Sequence, residues 1–134
     1  DLHYPLRRQR QMCIRDSRYT AVARAAELTG AVVLLKGART LVAAPGETTL
    51  VTAAGTPALA TAGAGDVLAG VIAAFANHLA PRFAAILGAH VHARAAEAWA
   101  ESTGADRGLI AREVADGIPD ALARLAGAAE KMPD

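Results

Sequence analysis

The chain has 134 residues, of which 53% are hydrophobic, and this length and composition suit one domain or part of one. Its formal net charge is only +1. This charge argues against nucleic-acid binding, because nucleic-acid-binding domains usually have a marked basic excess. The single cysteine, Cys13, excludes an internal disulfide and fits a reducing cytoplasm. The sequence lacks a Cys/His cluster for zinc, a secretory signal and a bilayer-length apolar stretch, so we expect a cytoplasmic protein that contacts no membrane.

Residues 1–17 differ in composition from the Ala- and Gly-rich remainder of the chain. The run from Arg7 to Ser17 is basic and has neither helical nor strand periodicity. Three interpretations stay open: a frayed terminus, a basic tail that contacts phosphate, and a segment foreign to the domain. We therefore treat 1–17 as a separate segment and assign residues 18–134 to the domain.

The first regular pattern is a helix followed by a strand. Residues 19–29 carry apolar side chains at helical spacing, and Gly30 follows at the position where glycine favours the end of a helix. The continuous apolar run 31–35 predicts a strand that is buried on both faces. This succession is typical of α/β layer folds.

Two short β segments come next, at residues 40–43 and 48–51, and the Pro45-Gly46 step between them predicts a hairpin at the edge of the sheet. Residues 52–65 then predict a loop that is long for a connection, and such loops in compact domains tend to be functional. Three helices are predicted for the remainder: residues 66–78, apolar nearly all round and therefore buried; residues 81–102; and residues 110–125, which contain Pro119, a helix-kinking residue.

The long loop ends in Gly63-Ala-Gly-Asp66, where a flexible segment becomes a helix. The two glycines allow backbone conformations closed to other residues and let a ligand approach the main chain. The first amides of a helix lack partners within it, and the helix dipole adds about half a positive charge there. Gly63, Ala64, Gly65 and Asp66 are therefore predicted to form an anion hole, suited to phosphate and to charge that grows during phosphoryl transfer.

Asp66 has two interpretations. A carboxylate at the start of a helix can simply cap it, or, beside a phosphate, it can be the general base that takes a proton from an attacking hydroxyl. Two better-known phosphate loops are excluded. A Walker A loop needs Gly-Lys-[Ser/Thr], whereas Asp66 follows Gly65, and a dinucleotide fingerprint that begins at Gly63 needs glycine where Leu68 stands.

The extended run is more specific than Gly-x-Gly-Asp alone. Thr61-Ala-Gly-Ala-Gly-Asp-Val-Leu-Ala-Gly70 resembles the anion-hole signature of ribokinase-like kinases. The longer form, which starts at Gly55-Thr-Pro, is similar to the version found in ADP- or ATP-dependent NAD(P)H-hydrate dehydratases. That family usually has Asn before this step, where this chain has Ala53-Ala54.

Other segments of the chain also resemble the dehydratase family. Val33-Leu-Leu-Lys-Gly-Ala-Arg-Thr40 resembles the strand and turn of the family that contact the nucleotide, and Leu87-Gly-Ala-His-Val-His-Ala93 and Gly108-Leu-Ile-Ala111 follow its closing helices. The resemblance covers residues 19–125 and does not cover 1–17. It implies an α/β fold of the ribokinase-like, three-layer α/β/α kind, with this chain as the C-terminal half only, since such domains normally run to roughly 250 residues.

The resemblance implies a concrete reaction. In the family, ADP or ATP phosphorylates the hydroxyl of the hydrated cofactor (6S)-NAD(P)HX, phosphate is eliminated, and NADH or NADPH is restored. By position in the motif, Asp66 would be the catalytic residue that engages the substrate hydroxyl, and Gly65 would contact the nucleotide. Mg²⁺ would shield the nucleotide phosphates, although no ligand for it is identifiable, and the full-length protein would form a homo-oligomer. The nucleotide side of the site would be lined by Lys36, Gly37, Ala38, Arg39 and Thr40.

Several residues keep simpler interpretations. Lys36 can neutralise phosphate or be a solvated turn lysine, and Arg39 is expected to face solvent, with its backbone as the contacting part. His90 and His92 lie two apart on a helix, a poor geometry for joint metal binding, so we expect surface or packing roles for them and a core position for Trp99. Two other functions stay open: a ribokinase-like kinase that acts on a sugar or pyrimidine alcohol, and a catalytically incomplete fragment of the dehydratase.

Overall fold

The computed structural model describes residues 18–129, so the separate segment 1–17 predicted from composition lies outside the described residues. Helices and a small sheet succeed each other along the chain, which confirms the α/β class. The elements are helix α1, residues 18–29; strands β1 (Val33–Leu35), β2 (Leu41–Ala43) and β3 (Leu50–Val51); a short 3-10 helix (Pro57–Leu59); and helices α2 (Ala64–Ala76), α3 (Pro81–Thr103) and α4 (Ala111–Ala129).

The three strands form one antiparallel sheet in the order β1-β2-β3. Val42 of β2 lies opposite Leu34 on one side and Leu50 on the other, which confirms the predicted hairpin. β2 is fully buried, whereas β1 is only half-buried along its length. The prediction that residues 31–35 are buried on both faces is therefore wrong. Within the described chain, β1 has a sheet neighbour on one side only and packs on a single cluster through Val33 and Leu35.

Helix α2 is less buried than its composition predicts. Its side chains are apolar nearly all round, but only Ala64 and Leu68 are buried. Helices α3 and α4 pack against one side of α2, and no described element covers the other side, where Ala69 and Ala73 are exposed. The prediction of a buried helix is wrong because composition reports what a helix could bury, not which elements are present to cover it.

Helix α3 organises the core of the described chain, since it contacts α2, α4, β2 and the 3-10 helix. Its buried positions are mostly alanine and glycine, and such small side chains let neighbouring backbones approach closely. Trp99 is half-buried and packs against one of the three apolar clusters, in line with its expected core position. Pro119 lies inside α4, which continues past it to Ala129.

Gly88 marks a close approach of α3 to α2. A Cβ atom at this position would lie 2.6 Å from Cγ1 and 3.3 Å from Cα of Ile72, so one helix would have to move. We expect Gly88→Ala to lower the free energy of unfolding by about 1–3 kcal/mol through overpacking. The control is Gly70→Ala on α2, where an added Cβ atom would have no neighbour within 4 Å. This variant should therefore show only the stabilising gain in helix propensity, roughly 1 kcal/mol. Urea unfolding compares the two variants, and equal stabilisation of both would contradict the close contact.

Candidate active site

The predicted anion hole lies at the start of α2. Gly63 is the N-cap, with a φ of 79° in the left-handed region, and no side chain caps the helix. Glycine is the residue that adopts this conformation without strain. The amide of Asp66 donates to the carbonyl of Gly63 at 3.0 Å, and that of Ala64 donates to Thr61 at 3.4 Å. The amide of Gly65 has no acceptor among the described residues and is therefore the free donor of this turn.

The role of Gly65 differs from the one expected. It does not have a positive φ and lies within α2, so the prediction that it needs a conformation closed to other residues is wrong. A Cβ atom there would meet nothing within 4 Å. The absence of a side chain at Gly65 therefore leaves open space beside its own free amide.

Asp66 is the third residue of α2 and is exposed to solvent. Since Gly63 is the N-cap and receives no side-chain hydrogen bond, the interpretation of Asp66 as the cap is wrong. Its negative charge still lies in the first turn, where the helix dipole favours it. Within residues 18–129 its carboxylate makes no hydrogen bond and no salt bridge, and so it is available to a ligand.

A cavity of about 370 Å³ lies between the segment after β1 and the loop that leads to α2, and none of the predicted anion-hole residues, Gly63, Ala64, Gly65 and Asp66, lines it. It is lined by Lys36, Gly37, Ala38 and Thr40, four of the five residues predicted to face a nucleotide. Arg39 is exposed, as expected for its side chain, but no part of it lines the cavity, so the expected backbone contact stays a prediction. The other walls come from the loop at 54–60, from α2 and from α3.

Thr40 and Lys36 have different tasks in the cavity wall. Thr40 is buried, and its hydroxyl bonds to both the amide and the carbonyl of Gly37 at 3.4 Å, which closes the turn. Lys36 is exposed, and its Nζ donates to the carbonyl of Leu59 at 3.4 Å. The amine of Lys36 therefore lies at the cavity rim, between the turn and the 3-10 helix.

Two residues of α3 complete the site, and sequence reasoning does not single out either as functional. Glu97 accepts a hydrogen bond from the amide of Gly55 at 2.7 Å, and His92 lies with Nε2 2.8 Å from the carbonyl oxygen of Ala64. The expected packing role of His92 is confirmed, because it is 2% exposed. Of the two, only His92 could have been noticed in the sequence, because it is a polar residue among the alanines and glycine of the buried face of α3.

His92 joins the cavity to the anion hole, since it lines the first and bonds to the second. Burial lowers the pKa of His92 below its usual 6.5, the bond to Ala64 opposes this effect, and the positive charge of Lys36 adds to it. A carbonyl can only accept, so the neutral ring carries its proton on Nε2 and donates it to Ala64.

A pH dependence of stability follows from His92. Its pKa in the folded state lies below the unfolded value of 6.5, so the folded state binds fewer protons, and stability is lost as the pH falls through 6.5 towards the folded pKa. We expect thermal unfolding between about pH 8 and pH 5 to show a shallower decline for His92→Gln, which keeps a donor but cannot titrate. Parallel profiles for the variant and the wild type would contradict this.

Neither a metal-binding group nor a membrane-spanning helix is found among the described residues. Within 18–129, no group of three or more His, Cys, Asp or Glu side chains is placed to bind a metal ion. None of the helices described is both long and apolar enough to cross a membrane. A larger groove of about 570 Å³ runs between α3 and α4, but no residue predicted for the site lines it, so the chemistry points to the smaller cavity.

Comparison with known proteins identifies the family. A family model described as NAD(P)H-hydrate dehydratase matches residues 6–120. The chain belongs to the NAD(P)H-hydrate dehydratase family. The resemblance found in the loop 55–70 and in the turn 33–40 is thereby confirmed. The match also takes in residues 6–17, part of the segment that composition sets apart.

Two curated relatives of the dehydratase family agree with this assignment. The chain is 40% identical over 113 residues to a bifunctional NAD(P)H-hydrate repair enzyme of Moorella thermoacetica, covering 84% of this chain and 21% of the relative. It is 43% identical over 103 residues to an ADP-dependent (S)-NAD(P)H-hydrate dehydratase of Neisseria meningitidis serogroup B, covering 76% of this chain and 35% of the relative. The chain thus spans about a fifth and about a third of these two relatives.

A solved dehydratase structure shares the fold. The ADP/ATP-dependent NAD(P)H-hydrate dehydratase of Bacillus subtilis, co-crystallised with ATP/Mg²⁺, superimposes with a TM-score of 0.76 at 28% identity. The likeness covers 83% of this chain and 40% of that one. The predicted ribokinase-like fold is confirmed, and the chain accounts for about two fifths of that structure.

Proposed function

We propose that this chain supplies the nucleotide-phosphate site of an ADP- or ATP-dependent dehydratase that restores NADH or NADPH from (6S)-NAD(P)HX. The observation that supports this proposal is that His92 connects the cavity with the predicted anion hole at one junction. His92 lines the cavity bounded by Lys36 and Gly55, and its Nε2 bonds to the carbonyl of Ala64 in the first turn of α2. Within residues 18–129, nothing accepts from the amide of Gly65 in that turn and nothing pairs with the carboxylate of Asp66.

The two sides of the junction suit different parts of the reaction. A nucleotide in the cavity would direct its phosphates towards the Gly65 amide, which donates to oxygens whose negative charge grows during transfer. The amine of Lys36 at the rim would offset part of the phosphate charge. The carboxylate of Asp66 would accept the proton of the substrate hydroxyl while that oxygen attacks the terminal phosphorus and the bond to the leaving nucleotide breaks.

Dehydration follows from that transfer. Once phosphorylated, the hydroxyl oxygen leaves as phosphate with the electron pair of its bond to carbon, and a proton is lost from the neighbouring ring carbon. The net result is loss of water from the hydrate, with the nucleotide cleaved to supply the phosphoryl group. Phosphorylation before elimination is the order that the family resemblance implies.

A magnesium ion would bind together with the nucleotide phosphates. The described residues offer single carboxylates, such as that of Asp66, rather than a protein cage. Mg²⁺ commonly keeps several waters and binds substrate phosphates together with one or two carboxylates. The residues therefore fit a magnesium ion that nucleotide phosphates hold, and none of the steps above is assigned to it. A cytoplasmic location and a homo-oligomer stay predictions.

An assay of products tests the proposed function against its two alternatives. The protein expressed from its complete reading frame is incubated with the hydrate and either ADP or ATP, and both the absorbance of NADH and the release of phosphate are followed. We expect equal amounts of NADH and phosphate. In parallel reactions that contain a sugar or a pyrimidine alcohol instead of the hydrate, a stable phosphorylated product would indicate the kinase. Turnover of the hydrate by this protein but not by the 134-residue chain alone would indicate that the chain is catalytically incomplete, and no turnover of the hydrate by either would contradict the proposed function.

A further inference from the structure

The loop between β3 and α2 is held at both ends by one helix. At its entrance, the amide of Gly55 donates to Oε1 of Glu97 at 2.7 Å. At its exit, Nε2 of His92 donates to the carbonyl of Ala64 at 2.8 Å. Between these points, Ala58 is buried in an apolar cluster with Ala96 of α3. These three contacts all come from α3, whereas the middle of the loop is also held by the bond from Lys36 to Leu59 and by Leu109 and Val114 in the same cluster.

The spacing of the anchors sets the shape of the loop. His92 and Glu97 are separated by about 7.5 Å along the helix axis, at a rise of about 1.5 Å per residue. Residues 55–63, fully extended, could span about 30 Å. Fixing both ends to one rigid helix therefore folds the loop into an arch and determines where its exit presents the amide of Gly65.

The anchor at Glu97 is a hydrogen bond to a charged carboxylate near the protein surface. Its side chain is 21% exposed, and its second oxygen lies 2.6 Å from Nη1 of Arg94. A hydrogen bond from an amide to a carboxylate is stronger than one between neutral groups, and Arg94 orients that carboxylate. Gly55 has a φ of 148°, a conformation that L side chains rarely adopt, so the bond fixes the loop at a residue able to bend there.

We infer that His92 and Glu97 are positioning residues that together set the geometry of the phosphate loop, Glu97 at its entrance and His92 at its exit. Neither residue needs to touch substrate for this role. The part of the inference that concerns nucleotide rests on the proposed function, whereas the anchoring itself does not. Loss of either anchor is expected to loosen the loop and to weaken nucleotide binding without unfolding α3.

The test uses loss and rescue variants of each anchor in the protein expressed from its complete reading frame. Glu97→Ala and His92→Leu remove the anchors, whereas Glu97→Gln and His92→Gln keep an acceptor and a donor. The control is Glu101→Ala, an exposed residue of the same helix. Hydrogen exchange of the hydrogen-bonded amides at 55, 64 and 66 is measured without nucleotide, and ADP affinity is measured by calorimetry.

We expect exchange at these amides to rise about tenfold in each loss variant, and ADP affinity to fall by a similar factor, as the loss of one such hydrogen bond would cause. The glutamine variants and Glu101→Ala should stay close to the wild type. Unchanged exchange in both loss variants would overturn the anchoring, and faster exchange with unchanged ADP affinity would overturn its role in positioning nucleotide. If the wild type binds no ADP, the proposed function fails, and the exchange data still decide whether α3 holds the loop.

Discussion

Replacement of Asp66 by Asn should remove most turnover and leave nucleotide binding near its wild-type level. Asparagine keeps the size of the side chain but cannot accept the hydroxyl proton, and the loss of a general base typically costs about 10²- to 10⁴-fold in rate. Asp66 is exposed and makes no salt bridge with a described residue, so its replacement should change stability by no more than about 0.5 kcal/mol. Steady-state turnover of the hydrate, with ADP affinity by calorimetry, separates the two effects.

The matched control for this variant is Asp120→Asn. Asp120 is also an exposed aspartate within a helix, α4, and pairs with no described cation. It should retain full turnover. Near-normal turnover of Asp66→Asn would remove the role of general base and leave Asp66 as a charge that the dipole of α2 favours.

Replacement of Gly65 by Val should weaken ADP binding by roughly 10- to 100-fold, the cost of one hydrogen bond to a charged group. The branched side chain would occupy the open space beside the free amide and keep phosphate away from it. The fold should accept the change, because Gly65 lies within α2 without a positive φ and a Cβ atom there meets nothing within 4 Å. Calorimetry therefore reports on the site and not on unfolding.

Gly70→Val is the companion variant, since Gly70 also lies on α2 with nothing within 4 Å of a Cβ atom. It should bind ADP with wild-type affinity. Equal ADP affinity for the wild type and Gly65→Val would rule out a nucleotide contact at this turn.

Local patterns predict the elements because their causes are local. Gly30, with a φ of 66°, follows α1, and Pro81 begins α3, as the preferences of glycine and proline for helix ends indicate. The antiparallel pairing of β2 and β3 around Pro45-Gly46 follows from turn chemistry in the same way. The start of α2 is predicted at Asp66, whereas the helix begins two residues earlier, at Ala64, and includes Gly65.

Contacts between distant parts of the chain could not be predicted. Glu97 meets Gly55 across 42 positions and His92 meets Ala64 across 28, and periodicity shows which face of α3 is buried but not what lies against it. The burial of β1 has the same dependence, because an apolar run predicts a buried strand but does not say whether the neighbours that cover it are present; in the described chain β1 is half-buried. The role of Gly65 in the site stays a prediction. The sequence cannot say why glycine stands there, since only the backbone geometry shows that Gly65 has no positive φ and that a Cβ atom would meet nothing within 4 Å.

The location of the bound nucleotide tests the central claim most directly. Isotope-labelled protein from the complete reading frame is titrated with ADP, and the backbone amide resonances are followed by NMR. The largest shift is predicted for Gly65, with smaller shifts for Gly37, Ala38 and Gly55 around the cavity. Shifts confined to the groove between α3 and α4, or no shifts at saturating ADP, would contradict the assignment of this junction as the nucleotide-phosphate site.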